Sequence, residues 1–286
     1  MRKYVLVTDS GSDLSEDVLK KWHIVSLPLN AQFDGEVEFS DYDIDSDKFY
    51  KKLRDGKTAK TSAVNHTAFS DKFRALIKRG FDVLYIGLSS AISSTYSAAS
   101  TAARTLKKEL PESEILTLDS KCASAGLGLL VYLTAEKRDS GADIHEAYKY
   151  AKAIAVRICH RFTVDNLTYL YRGGRISGTS AFLGNMLGIK PLLYVDSGGF
   201  LKPSEKVRGR RAAIEALAES YGDLAREGEN CIFISHADCY ADAELLEEFL
   251  YAKYGCKAKR IFDIGAVIGA HAGPGTLALF FLGDTR

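Results

Sequence analysis

Neither sign of charge is in excess in this 286-residue chain: 38 Lys and Arg against 37 Asp and Glu leave a formal charge of +1. That balance removes the broad basic surface on which general nucleic-acid binders depend, so DNA and RNA are not expected partners. Long apolar runs are missing as well. The run Leu277 to Leu282 near the C-terminus is strand-sized, far short of the roughly 20 residues that cross a bilayer. The apolar stretch Tyr4 to Val7 reaches Thr8 and Asp9 too early to form a signal-peptide core. An integral membrane segment and export are therefore not expected. The five cysteines, Cys122, Cys159, Cys231, Cys239 and Cys256, are odd in number and contain no C-x-x-C pair. This speaks against a disulfide framework or zinc ribbon and for the reducing cytoplasm.

Several signatures of catalysis are absent. No G-x-x-x-x-G-K-[ST] occurs, so ATP hydrolysis loses its best marker, and no G-x-S-x-G provides the strained elbow of a serine nucleophile. Asp41, Asp43, Asp45 and Asp47 imitate the start of a calcium loop, but Ser46 stands where the loop needs glycine and Lys52 where it needs glutamate. An acidic turn capping the next helix is the better reading. The histidines show no H-x-x-x-H or H-E-x-x-H spacing, so no local metal site is expected.

What is present is an ordinary globular composition, 46% hydrophobic and 26% charged, with short β-branched runs alternating with amphipathic helical stretches. That alternation predicts the α/β class, with parallel or mixed sheets flanked by helices. The length suits two domains, and the pattern changes near Cys159, which gives an N-terminal domain over 1–158 and a C-terminal domain over 159–286. In the first, Tyr4 to Thr8, Val83 to Leu88 and Ile115 to Leu118 read as strands. A helix from about Thr67 ends at Gly80, and another follows Asp143. In the second, Leu192 to Asp196 and Phe200 to Pro203 flank Ser197-Gly198-Gly199 as a hairpin, which makes that sheet mixed. Cys231 to Ser235 reads as a strand, Ala241 to Tyr251 as a helix, and the glycine-rich end runs into a last strand.

The strands are followed by hydroxyls and small polar groups: Asp9-Ser10-Gly11-Ser12, Ser89 to Thr95, Asp119-Ser120 and Ser235-His236. In open α/β sheets ligands bind beyond the carboxyl ends of the strands, so these groups face the expected crevice; each is also a ready helix cap. Thr61 and Ser62 add two more hydroxyls. His271 stands alone among small residues in Gly269-Ala270-His271-Ala272-Gly273, which singles out its imidazole as a functional group. Arg175, after Gly173-Gly174, is placed to bring a guanidinium toward an anion at the domain junction. Lys206, Arg208, Arg210 and Arg211 form a basic run that is either a solvated face or a docking surface for an acidic partner.

Taken together, Thr8-Asp9-Ser10 with Asp13-Leu14, Thr61-Ser62, Leu88-Ser89-Ser90 with Ile92-Ser93 and Thr95-Tyr96, Asp119-Ser120, Leu170 to Ile176, Ile189-Lys190-Pro191, Lys206-Val207-Arg208 and His271 to Gly275 make the chain resemble the DegV family over essentially its full length. These are fatty-acid-binding proteins that work with a bacterial fatty acid kinase. The resemblance implies two α/β domains enclosing an acyl chain in a tunnel between them. It implies no cofactor and no chemistry of the protein's own, only presentation of the fatty acid to a kinase subunit that makes the acyl phosphate. By position, Thr61, Ser62, Ser93, Arg175 and His271 would hold the carboxylate, with Ser94, Thr95, Gly173 and Gly174 as further ligand contacts. The family commonly has glycine where this chain has Ser94. Phe182, Leu183, Met186 and Leu187, apolar nearly all round, are candidates for the tail wall, and Lys206, Arg208 and Arg210 for partner docking, with transient contact at a membrane surface left open. Burying methylenes at about 0.8 kcal/mol each gives on the order of 10 kcal/mol gross for a long chain, enough for tight binding without a covalent bond. Two rivals stand beside this: an acyl ester or thioester hydrolase in which His271 activates Ser93 or another loop hydroxyl, and a small-molecule sensor or interaction protein whose basic run engages a partner.

Overall fold

The computed structural model describes residues 3–176, 188–228 and 230–286. Along the first half run β1 (Tyr4–Asp9), α1 (Glu16–Lys21), β2 (Val25–Leu27), β3 (Asn30–Phe33), β4 (Phe39–Ser40), α2 (Ser46–Arg54), β5 (Ala59–Ser62), α3 (His66–Lys78), β6 (Asp82–Gly87), α4 (Thr95–Glu109), β7 (Ile115–Asp119), α5 (Ser124–Asp139) and α6 (Ile144–Ala155). The second half adds β8 (Ile158–Thr163), α7 (Thr168–Arg172), β9 (Ile189–Val195), β10 (Leu201–Arg208), α8 (Arg210–Leu224), β11 (Phe233–His236), α9 (Tyr240–Tyr254), β12 (Arg260–Asp263), α10 (Ala266–Ala272) and β13 (Leu277–Leu282).

The protein is of the α/β class with parallel and mixed sheets. Strands β2-β1-β6-β7 form an all-parallel sheet, and β6 is buried along its whole length. A strand covered on both faces reads as a continuous apolar run, as Val83 to Ile86 does. Local chemistry stops the helices where expected. Gly80 takes a φ of +87° just beyond α3, and Asp143 caps α6 in a reciprocal box with Glu146. Asp45 caps α2 through the Lys48 N–H.

The second sheet has the order β10-β9-β8-β13-β11-β12, with only β11 and β12 parallel. The hairpin around Ser197 to Gly199 is there, with longer strands than the sequence suggested, because Pro203 and a register shift between Pro203 and Glu205 sit on the edge strand β10. An edge tolerates both. A third, antiparallel sheet of β4-β3-β5 has no signature in the sequence; its strands of two to four residues are too short to show a period.

Helix α5 joins the two large sheets. Every residue from Ser124 to Ala135 is buried, and the helix packs on β1 and β6 on one side and on β8, β11 and β13 on the other. A helix apolar on all faces has to be covered on all faces. The larger apolar cluster accordingly contains Leu6, Tyr85 and Leu129 together with Phe233 and Phe280. Because Leu129 is fully buried there, Leu129→Ala is expected to cost about 2–5 kcal/mol, read as a drop in the urea midpoint at unchanged slope. The halves are also tied by Tyr169 OH donating to Leu53 O at 2.9 Å and by an Arg54–Asp238 ion pair. The proposed tail wall of Phe182, Leu183, Met186 and Leu187 lies outside the described residues.

Candidate functional site

A cavity of about 180 Å³ lies where the segments after β5 and β6 meet the face of β8 and β13 and one side of α10. For scale, an apolar cavity of about 150 Å³ stays dry and admits benzene. Its floor follows from strand register: Phe162 pairs with Ala278 and His160 with Phe280, and since alternate residues share a face, all four line the cavity. His160 is neutral. Only a ring N–H can bond the Ile158 carbonyl at 3.0 Å and only a bare ring nitrogen can accept from the Ala123 N–H at 3.3 Å, so the proton is on Nδ1. Burial holds its pKa well below the usual imidazole range.

Thr61 and His271 meet at one end of this cavity, with Oγ1 and Nε2 2.8 Å apart. Thr61 comes from β5 and His271 from the last turn of α10, so the pair spans the two halves. Gly173 makes room for the ring, since a Cβ there would stand 2.3 Å from His271 Nδ1. Burial, and then the Arg175 charge, push the His271 pKa down to about 4. The imidazole is therefore neutral at physiological pH and offers a hydrogen bond, not a charge.

The charge belongs to Arg175. Its guanidinium is half-buried, donating from Nε to Ile92 O at 3.1 Å and from Nη1 to Gly173 O. Two backbone carbonyls thus hold the fork in place while further N–H groups have no partner among the described residues. Ser93 and Ser94 line the cavity nearby. Ser93 Oγ lies 2.9 Å from the Thr95 hydroxyl and also accepts the Thr95 N–H, so Thr95, fully buried, supports Ser93 and does not itself reach the cavity. No carboxylate lines the cavity among the described residues, and Arg175 is its one formal charge.

Other residues singled out by the sequence lie elsewhere. Ser62 is next to Thr61 on a strand, so the pleat turns it to the opposite, exposed face, where it donates to Glu38 at 2.6 Å. Gly174 supplies a turn with φ +69°, its N–H bonded to Tyr171 O at 3.0 Å, and does not line the cavity. The hydroxyls after the strands are mostly spent on backbone: Ser10 accepts from Leu29 N–H, Ser89 donates to Gly199 O and Ser120 to Gly87 O. The crevice between β1 and β6 is filled from within by Asp9, whose carboxylate accepts from Gly11 N–H, Leu88 N–H and Tyr85 OH and is raised to about 6 by burial. Of the basic run, Lys206 and Arg208 are exposed on β10, whereas Arg210 turns inward to a two-pronged contact with Asp242 at 2.8 and 2.9 Å.

His160, Phe162, Phe280, Val267 and Ile268 also line the cavity, and no motif in the sequence marks them as site residues. Alternation along β8 is visible in the sequence, but which of its faces the cavity uses is not.

This chain is similar to known proteins along its whole length. The model of the DegV family, described as an uncharacterised protein family, matches residues 3–284. A DegV domain-containing protein of Clostridium perfringens is 40% identical, with 100% of this chain and 99% of the relative aligned. A DegV lipid-binding protein of Thermotoga maritima superposes with a TM-score of 0.87 at 30% identity, covering 99% of each chain. A fatty-acid-binding DegV protein from Thermus thermophilus does so with a TM-score of 0.88 at 27% identity, over 99% of this chain and 100% of that one. Sequence and fold agree: the chain belongs to the DegV family.

Proposed function

We propose that the protein is a cytoplasmic carrier that encloses a long-chain fatty acid between lobes 1–158 and 159–286 and presents its carboxylate to a partner kinase for acyl-phosphate formation. The observation that carries this reading is the cavity's composition: apolar walls, no lining carboxylate among the described residues, one guanidinium and a neutral imidazole–hydroxyl pair. Apolar walls take a hydrocarbon tail, and because about 180 Å³ holds only part of a long acyl chain, the walls must part to admit the rest. The guanidinium and the hydroxyls of Thr61 and Ser93 donate charge-assisted hydrogen bonds that offset the desolvation of one anionic head. The lipid-binding and fatty-acid-binding relatives support the same reading.

A hydrolase is less well supported. His271 bonds Thr61, which lies on β5 and not in a loop, while Ser93 faces Thr95, so among the described residues no loop hydroxyl is paired with the base. Native mass spectrometry of protein purified from cells is expected to show a bound acyl acid; repeated recovery of ligand-free protein would sink the proposal.

Thr61→Ala is expected to weaken fatty-acid binding by about tenfold, the worth of one hydrogen bond to a charged group, while Ser62→Ala changes it less than about twofold. Equal losses in a displacement titration would contradict the assignment of the two faces of β5. Arg208→Glu is expected to lower kinase-dependent acyl-phosphate formation with lipid binding unchanged, because Arg208 is exposed on an edge strand. Survival of both activities would remove β10 as a docking surface.

A further inference from the structure

Helix α10 has only seven residues, too few to be stable by itself, so its position is set by what it packs against. The groups that hold its N-terminal end come from the other half of the chain. Asp13 Oδ1 accepts the Gly265 N–H at 3.0 Å, Asp41 Oδ1 accepts the Val267 N–H at 3.1 Å, and Tyr50 OH donates to Ile264 O at 2.6 Å. Asp41 and Tyr50 are buried and Asp13 is partly buried. Gly265 and Gly269, one turn apart, form the face that receives them. A Cβ at Gly265 would lie 2.9 Å from Asp41 Oδ1, and one at Gly269 2.4 Å from Tyr50 Oη. The same helix carries Val267, Ile268, His271 and Ala272 into the cavity wall.

We propose that Asp13, Asp41 and Tyr50 are positioning residues of the ligand site, seating α10 from the opposite half so that His271 meets Thr61. None of the three lines the cavity; each acts through the placement of His271. The proposal rests on the reading of the cavity as a fatty-acid site, so its test needs one readout that does not use fatty acid.

Ligand-free protein labelled with ¹⁵N reports the His271 ring nitrogens, and stopped-flow displacement of a fluorescent long-chain fatty acid reports dissociation. In Gly269→Ala the new methyl strikes Tyr50 Oη; the ring resonances are expected to shift and the fatty acid to leave about tenfold faster or more. Adding Tyr50→Phe, which removes the struck oxygen and with it the bond to Ile264 O, is expected to relieve both defects in part. Independently, Asp41→Ala is expected to reproduce the defect and Asp41→Asn, which keeps the acceptor for Val267 N–H, to avoid it; this pair decides the matter if Gly269→Ala does not fold. Unchanged ring resonances and dissociation in Gly269→Ala and Asp41→Ala would overturn the proposal. So would defects that neither Tyr50→Phe nor Asp41→Asn relieves, since these would mark general damage. If wild-type protein binds no fatty acid, the functional reading fails, and the ring resonances still decide whether these residues place His271.

Discussion

Arg175→Ala is expected to raise the Kd for a long-chain fatty acid by about 100-fold or more, about 3 kcal/mol, the size of effect found when one partner of a buried charge pair is removed. Arg175 is the one charged group lining the cavity among the described residues. His271, held at about 4 by burial and by Arg175 itself, is neutral and cannot take its place as a cation. An acid brought into the Arg175→Ala cavity either remains ionised without a counter-charge or gains a proton, and both cost free energy. A fatty alcohol of the same length has no such requirement, and its affinity is expected to change by less than about threefold. Calorimetric titration of acid and alcohol into both proteins checks this, and equal losses would show that Arg175 acts on the cavity's shape and not on its charge. Arg175→Lys is expected to recover only part of the affinity. An ammonium keeps the charge, but it cannot both bond Ile92 O and Gly173 O and leave a planar edge for the carboxylate.

The second large effect concerns stability. Asp13 accepts from the Ser124 hydroxyl and the Gly265 N–H, yet burial raises its pKa to about 8 from an ordinary 3.8. The folded state therefore keeps a proton that the unfolded chain releases, and stability falls as pH rises from about 4 to about 8. An asparagine in place of Asp13 would accept from Gly265 and donate to Ser124 without titrating, and asparagine tolerates the left-handed backbone found here, φ 51°. Asp13→Asn is accordingly expected to leave stability near wild type at pH 4 and to raise it progressively as the pH rises towards 8. Urea unfolding at pH 4, 6 and 8 measures this. A constant difference across the series would mean that Asp13 is ionised in the folded protein. His271 works in the opposite direction: its pKa is depressed on folding, so its contribution is lost as pH falls from about 6.5 to about 4.

Much of this protein is legible along the chain because it depends on neighbours in sequence. Gly80 ends a helix, Asp143 starts one, and Gly198-Gly199 turns a hairpin through backbone freedom and short-range hydrogen bonds. The α/β class follows from periodicity, and the isolation of His271 among small residues marks it without any knowledge of its partners. The small antiparallel sheet was hidden because its strands are too short to show a period, and α5 because a helix buried on all sides has no polar face to mark one.

Other features exist only when distant segments pack. Thr61 and Ser62 are adjacent hydroxyls in the sequence, and the strand's pleat together with the sheet it joins sends one to His271 and the other to Glu38. Asp41 reads as one more member of an acidic turn, while in the folded chain it is buried against a helix 226 positions away. Local bonding and periodicity are written in short stretches of residues, and so they determine element type, caps and turns. Burial, and with it the neutral imidazole, the half-buried guanidinium and the raised pKa of Asp13, arises from the mutual exclusion of water by parts of the chain that no short stretch contains.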